Sequence, residues 1–381
     1  MKVFAGAGES SGDRILAALL HGLRGPFPDM EVRGFGGPLS RMQGLNSLFP
    51  MEKMAVNGVG DVLQRGAFLA SAYVRLRKLL RDFRPDLVLL ADYPGMNVGL
   101  ARHALALGHR VHFVAPPQLW AYRDAEARVQ RLKRSLKGAS LQVLFPFEEE
   151  AYSSFGGPLC QGHFFAQSAG QAGQESFSHE NTLPVLPTPS TKPQETRNRL
   201  LLCPGSRAAI VRRNLSLWLD HLSTSDGALD VDILTPEFLV SQVKEIIRDR
   251  FGIVVLTSPE KAFSRAACAI AFPGTMTLEL FLRRIPTKVW AVLDPLTLWS
   301  GRRKLHPGFI ALPNILLGRA AFPEWVGMAR DFARTPPPLA LSGDAFLGEP
   351  VAVEDLVALD EKMGSPEGVA VGVHACLELL P

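Results

Sequence analysis

Two carboxylates stand where a reaction could use them. Asp92 follows the apolar run Leu87 to Ala91 and precedes Tyr93-Pro94-Gly95, a sequence that must turn. A short apolar run stopped by a turn reads as a strand buried on both faces of a parallel sheet. Ligands of open α/β sheets sit beyond the carboxyl ends of such strands. Asp92 is thus a proton acceptor or a cap for the helix that follows, and position alone leaves both open. Glu9 lies in Gly6-Ala7-Gly8-Glu9-Ser10-Ser11-Gly12-Asp13. This strand, glycine turn and helix nearly matches the dinucleotide fingerprint, with Ser11 where the third glycine belongs. Glu9 and Asp13, however, bring negative charge to a helix N-terminus that would otherwise attract anions. They would repel a pyrophosphate, which excludes the nicotinamide reading. A Glu/Ser/Asp loop suits sugar hydroxyls, held by Ser11 and Asp13, or proton abstraction by Glu9. Helix capping is the competing reading for Ser11 and Asp13.

The second half of the chain carries two loops of opposite charge logic. Pro204-Gly205-Ser206-Arg207 is a turn opening a helix, and Arg207 offers a forked, permanently charged donor that suits a diphosphate. Pro273-Gly274-Thr275-Met276-Thr277-Leu278-Glu279 repeats the strand, glycine turn and helix with no carboxylate at the turn itself. The amides of Thr275 to Thr277 after Gly274 can hold phosphates, while Glu279, one helical turn in, can accept hydrogen bonds from a ribose diol.

These loops need strands to carry them. Strands are predicted at Lys2 to Ala5, Glu31 to Phe35, Leu87 to Ala91, Arg110 to Val114 and Leu141 to Phe145, each followed by helical material. That alternation predicts an α/β fold with a doubly wound parallel sheet. After 166–198, a stretch rich in Gln, Ser, Thr, Pro and Gly that reads as a linker, the pattern restarts. Strands are predicted at Arg199 to Cys203, Leu229 to Leu234, Ile253 to Leu256, Ala267 to Phe272 and Thr287 to Val292. Two Rossmann-like domains, 1–165 and 199–350, then face each other across a cleft. A tail, 351–381, is expected to send a helix back onto the first. Between the second and third strands, Asp61 to Phe83 is an amphipathic helix. Leu69, Tyr73, Leu76 and Leu80 share its apolar face, and its cations include Arg75, Arg77, Lys78 and Arg81. It is either packed on the sheet with a solvated basic edge or laid on a membrane, with Phe68, Tyr73, Arg77 and Lys78 as contacts.

The bulk properties fit this picture. The chain has 381 residues, 47% hydrophobic and 20% charged, which suits two globular domains. A formal charge of +4 gives no general case for nucleic acid, and none is expected as a partner. The 4 cysteines form no CxxC pair, which argues against a zinc site or a disulfide framework and fits a reducing cytoplasm. No signal-peptide pattern follows Met1, and no apolar run is long enough to span a bilayer.

Further residues complete a pattern: Pro94 and Asn97 beside Asp92, Pro116 with Trp120-Ala121-Tyr122-Arg123, Pro146-Phe147-Glu148, Gly162-His163, Leu312-Pro313-Asn314 and Gly318-Arg319. In this order, and with the loops above, the chain resembles the lipid-A-disaccharide synthase family, inverting glycosyltransferases of the two-Rossmann-domain GT-B type. The likeness covers roughly 1–163 and 199–325. It implies transfer from UDP-2,3-diacylglucosamine to 2,3-diacylglucosamine 1-phosphate with release of UDP, with no metal or other cofactor. It also implies a peripheral place on the cytoplasmic face of the inner membrane. Oligomerisation is compatible with it. The resemblance makes Asp92 the general base with Glu9 beside it, and lines the nucleotide side with Arg207, Ser206, Glu279 and Asn314. The chain departs from the family pattern at Ile210, where a Glu is usual, and at Pro273, where a Ser is usual. A binding protein without turnover and a UDP-sugar epimerase are the competing readings.

Overall fold

The computed structural model describes residues 1–54, 58–165, 199–223, 230–248, 250, 252–304, 308–337 and 351–380, with backbone alone for 52 and 58–65. The expected linker, 166–198, lies outside the described residues.

The strands are β1 (Lys2–Ala7), β2 (Glu31–Gly36), β3 (Leu45–Pro50), β4 (Leu87–Ala91), β5 (Arg110–Val114), β6 (Ser140–Val143) and β7 (Leu159–Gln161) in the first half. The second half has β8 (Arg199–Cys203), β9 (Val231–Leu234), β10 (Ile253–Leu256), β11 (Ala266–Ala271), β12 (Thr287–Val292) and β13 (Glu324–Gly327). The helices of the first half are α1 (Ser10–Arg24), α2 (Pro38–Met42), α3 (Met51–Met54), α4 (Gly58–Phe83), α5 (Pro94–Ala106), α6 (Ala125–Leu136) and α7 (Glu149–Tyr152). Those of the second are α8 (Ala208–Ser223), α9 (Val240–Ile246), α10 (Pro259–Arg265), α11 (Thr275–Leu282), α12 (Pro295–Lys304), α13 (Leu312–Leu317) and α14 (Ala329–Arg334). The tail forms α15 (Val353–Met363) and α16 (Gly368–Leu379).

Among the described residues the strands form two all-parallel sheets, in the orders β3-β2-β1-β4-β5-β6-β7 and β10-β9-β8-β11-β12-β13. The α/β fold class expected from the alternation is the observed one. Both sheets are wound outwards from a central pair, β1 with β4 and β8 with β11. The central strands are free of charged residues apart from Lys2 and Arg199 at their starts, because helices cover both faces; every residue from Leu87 to Ala91 is fully buried. The three strands that the apolar runs did not predict, β3, β7 and β13, are all sheet edges. An edge strand is covered less and needs no continuous apolar run, and Asn46, Leu48 and Val326 are accordingly exposed.

Helix α4 packs on the first sheet through Ala72, Leu76, Leu80 and Phe83, leaving Arg75, Lys78 and Arg81 exposed. Helix α16 lies against α1, with Cys376 in one apolar cluster with Leu16, Leu19 and Leu20. The contact is close at Gly22, where a Cβ would stand 2.5 Å from Val373 Cγ2. A further cluster joins Leu144 and Phe145 of the first half to Leu278, Phe281 and Leu312 of the second and to Leu359 of the tail. This shared core fixes how the two sheets face each other. No described helix is long and apolar enough to cross a membrane.

Candidate active site

In each sheet the strand order reverses at the central pair, and such switch points open crevices at the carboxyl ends of the strands. The loops after β1, β4, β8 and β11 come from these two points. All four line one cleft of about 1910 Å³, represented by Glu9, Asp92, Arg207 and Gly274.

The first-sheet side is acidic and tightly held. Asp92 and Tyr93 sit consecutively in the left-handed region, at φ 50° and 52°. An Asp tolerates that conformation, whereas a bulky Tyr pays for it and must be held there. Asn97 supplies the hold: its Nδ2 donates to the carbonyls of Asp92 at 2.7 Å and of Gly6 and Ala91, each at 3.2 Å. Tyr93 adds to it by donating its hydroxyl to the Met54 carbonyl at 2.5 Å. The Asp92 carboxylate is fixed as well, accepting from Ser11 Oγ at 2.9 Å and from the Tyr93 amide at 2.7 Å. The glycines of the β1 loop serve this packing. A Cβ at Gly8 would fall 2.4 Å from the Tyr93 ring, and one at Gly12 would fall 2.9 Å from the Ala91 carbonyl. The near-fingerprint therefore has a steric cause and needs no pyrophosphate.

The second-sheet side is cationic and rich in free backbone. Gly205 lies in the left-handed region at φ 101°, which turns the chain into α8 and brings Arg207 to the wall. At the start of α11, open space surrounds Gly274, and no side chain caps the helix. Two ion pairs of opposite polarity cross the cleft. Arg207 Nη2 donates to Glu9, and Arg14 Nη1 donates to Glu279 Oε1 at 2.7 Å. Burial raises the pKa of Glu9 above the usual carboxylate range; Arg207 opposes this rise and the charge of Asp92 adds to it. Burial likewise pushes the Tyr93 phenol up to about 12.

One side presents fixed carboxylates; the other presents a guanidinium and helix N-termini. A family model described as lipid-A-disaccharide synthetase matches residues 3–336. The chain belongs to the lipid-A-disaccharide synthase family. Among curated lipid-A-disaccharide synthases, that of Azotobacter vinelandii is 32% identical, the alignment covering 85% of this chain and 84% of the relative. That of Granulibacter bethesdensis is 29% identical over 98% and 93% of the two chains. The solved glycosyltransferase of kitacinnamycin has a similar fold, with TM-score 0.53, 12% identity and coverage of 100% and 98%. So does UDP-GlcNAc 2-epimerase from Neisseria meningitidis, with TM-score 0.51, 12% identity and coverage of 99% of both chains. Like its relatives, this lipid-A-disaccharide synthase family member is a glycosyltransferase with the GT-B arrangement of two parallel-sheet domains.

The residues singled out from the sequence of this family member do not all reach the cleft. Glu9, Ser11, Asp92, Ser206, Arg207, Gly274, Thr275 and Glu279 line it. Asp13 touches it but is 2% exposed and fully engaged, accepting from the amides of Gly37, Leu39 and Ser40 and from Ser40 Oγ. It caps the start of α2, a structural role that occupies both carboxylate oxygens. Thr277 is buried with its hydroxyl on the Gly274 carbonyl, which it steadies from behind. Asn314 is buried too, exchanging hydrogen bonds with the backbone of Phe322 and donating to Glu324. These bonds brace the segment after α13, and Asn314 is not among the residues that line the cleft. On α4, Phe68 packs edge-on to Phe49 and Tyr73 lies beneath Arg77, which also reaches His103 Nδ1 at 3.3 Å. Of the four expected acyl or membrane contacts, Lys78 alone is exposed.

Aromatic residues after β5 reach the cleft. Trp120 lines the cleft with its indole N–H fixed on Glu148 Oε1 at 3.0 Å, while Glu148 Oε2 accepts from the amides of Leu144 and Phe145. His163, 1% exposed, also belongs to the wall, and burial pushes its pKa down to about 4. Sequence reasoning did not single out Arg14. It is one position along the helix from Asp13, and nothing local marks it; its partner is 265 residues away.

Proposed function

We propose that this chain transfers the diacylglucosaminyl group of UDP-2,3-diacylglucosamine to the 6-hydroxyl of 2,3-diacylglucosamine 1-phosphate, with inversion and release of UDP. The observation that carries this reading is the division of charge in one cleft: Asp92 and Glu9 on one wall, Arg207 and the α11 N-terminus on the other. An acceptor hydroxyl needs a base, and a departing diphosphate needs positive charge or amides. In this reading Asp92 takes the hydroxyl proton. The acceptor oxygen bonds to the anomeric carbon from the face opposite UDP, the bond to the β-phosphate oxygen breaks, and UDP leaves with that electron pair. Asp92 is suited to the task because each oxygen accepts one hydrogen bond from the protein, which orients the group while leaving lone pairs for the substrate. Ser11 and Glu9 flank the acceptor; Ser206, Arg207 and the amides around Gly274 and Thr275 receive the diphosphate. Glu279 faces the ribose.

Both substrates carry acyl chains, so the reaction is placed at the inner-membrane surface on its cytoplasmic side. Support comes from the exposed Arg75, Lys78 and Arg81 of α4, with Val74 64% exposed among them, a basic face suited to anionic lipid. The test is UDP release by purified protein given both acylated substrates. Release that requires both supports the reading, and its absence from folded protein overturns it. UDP binding without turnover would mark a binding member of the family, and conversion of the UDP-sugar without acceptor would mark an epimerase.

A further inference from the structure

Glu279 is 2% exposed, and its two oxygens are treated unequally. Oε1 accepts from Arg14 Nη1 at 2.7 Å. Oε2 is buried with no hydrogen-bond partner among the described residues, although Glu279 belongs to the cleft wall. A buried carboxylate oxygen without a donor is costly, and in the cleft the missing donor can come from a ligand. A phosphate would be repelled by the carboxylate, whereas a neutral hydroxyl would satisfy it.

The direction of the Arg14 pair is also informative. Arg14 lies just past the first turn of α1, close to a helix N-terminus that gives a cation no support. It nevertheless reaches across the cleft to a carboxylate on α11. The neighbouring pair, Glu9 with Arg207, has the opposite polarity, so an entering diphosphate competes with Glu9 for Arg207. A ribose diol has no such conflict with Arg14: it can use Oε2 while Arg14 keeps Oε1. Donor entry therefore opens one bridge and leaves the other in place.

We propose that Arg14 is a positioning residue that completes the ribose grip from the opposite domain. By fixing Glu279 it makes full hold on the nucleotide depend on the closed cleft. This rests on reading the cleft as a UDP-sugar site.

The test is calorimetric titration of UDP and 2′,3′-dideoxy-UDP into the wild type, Arg14→Gln, Arg14→Lys and Glu279→Gln, each checked for folding by thermal melting. Wild type is expected to prefer UDP over the dideoxy analogue by roughly tenfold or more, the scale of a hydrogen bond to a charged group. Arg14→Gln should lose most of that preference, Glu279→Gln should lose it as well, and Arg14→Lys should regain part of it. A merely structural role for Arg14 would weaken both ligands alike and leave their ratio unchanged. UDP binding with the same preference in Arg14→Gln as in wild type would overturn the inference while the UDP-sugar reading stands. So would UDP binding by wild type with no preference at all. Failure of wild type to bind UDP would overturn the reading and the inference with it. If Arg14→Gln does not fold, Arg14→Lys decides: a preference equal to that of wild type counts against the positioning role, because lysine cannot reproduce the guanidinium geometry.

Discussion

At the end of β4 the chain turns through two left-handed non-glycine residues, held by three hydrogen bonds from Asn97 and by the Tyr93 hydroxyl. At the end of β11, the equivalent turn of the other sheet, Gly274 has open space around it and α11 begins without a side-chain cap. The difference follows from what each side has to do. A proton acceptor must be aimed before its substrate arrives, because misplacing it by an ångström is costly in rate. A diphosphate carries its own charge and acceptors, so amides left free by an uncapped helix N-terminus can receive it. The first switch point is built from side chains and the second from backbone.

The sharpest way to break this comparison is Asp92→Asn. It preserves shape and the Ser11 contact but removes the proton acceptor. The expected result is a fall in kcat of about 10²–10⁴-fold, with UDP affinity and thermal stability close to wild type. Full activity in Asp92→Asn would remove Asp92 as base, and equal losses in kcat and UDP binding would mean that the two walls do not divide the work.

Acid should separate the two sheets next. Burial pushes both His112, enclosed by Ser140 and Gln142, and His163 down from 6.5 to about 4. A depressed folded-state pKa means that the unfolded chain takes up protons first. The stability from each neutral imidazole is present above about pH 6.5 and is lost as pH falls towards 4, on the order of 3 kcal/mol per group. Both lie in the first domain, so urea unfolding in this window should report that domain failing first. His112→Gln should remove about half of the acid-dependent loss. A pH-independent midpoint across the window would contradict the assignment.

How far the molecule could be read in advance depends on the range of the interaction. The inner strands were legible because burial on both faces demands unbroken apolar runs, and Leu87–Ala91, Arg110–Val114, Arg199–Cys203 and Thr287–Val292 have the expected limits; the edge strand Ile253–Leu256 was legible as well because its own run is apolar. The edge strands β3, β7 and β13 lack that demand and left no such signal. In the site, residues at strand ends were legible from position: Asp92, Glu9, Arg207 and Gly274 all line the cleft. Residue type alone did not separate cleft-facing polar groups from braces. Asp13 and Asn314 look like ligand residues in the sequence, yet their hydrogen bonds run inward to α2 and to Phe322 and Glu324. Arg14 was illegible for the opposite reason, since its meaning comes from a partner on the other domain.

Asp13 offers a smaller test of the same division. Asp13→Asn turns an amide N–H towards backbone donors that now find a carboxylate, the Leu39 amide at 3.0 Å among them. The cost should be about 1–3 kcal/mol in the unfolding free energy, with KM for either substrate little changed. A large rise in acceptor KM with no loss of stability would return Asp13 to the substrate-binding wall.

The smallest effect is expected on the backbone-built side, and it is a gain. Pro273 lies on the cleft wall immediately before Gly274, where it has neither an N–H nor a hydroxyl to offer. Pro273→Ser restores both groups beside the amides assigned to the diphosphate. A neutral hydrogen bond contributes about 0.5–1.5 kcal/mol net, so UDP should bind a few-fold more tightly. The gain is capped because proline also stiffens the turn, and serine gives up part of that benefit. The readout is the UDP dissociation constant set beside that for uridine. A gain for UDP alone locates the diphosphate at this loop. An equal gain for both would trace the effect to loop conformation, and no gain would mean that the phosphates sit closer to Arg207 than to α11.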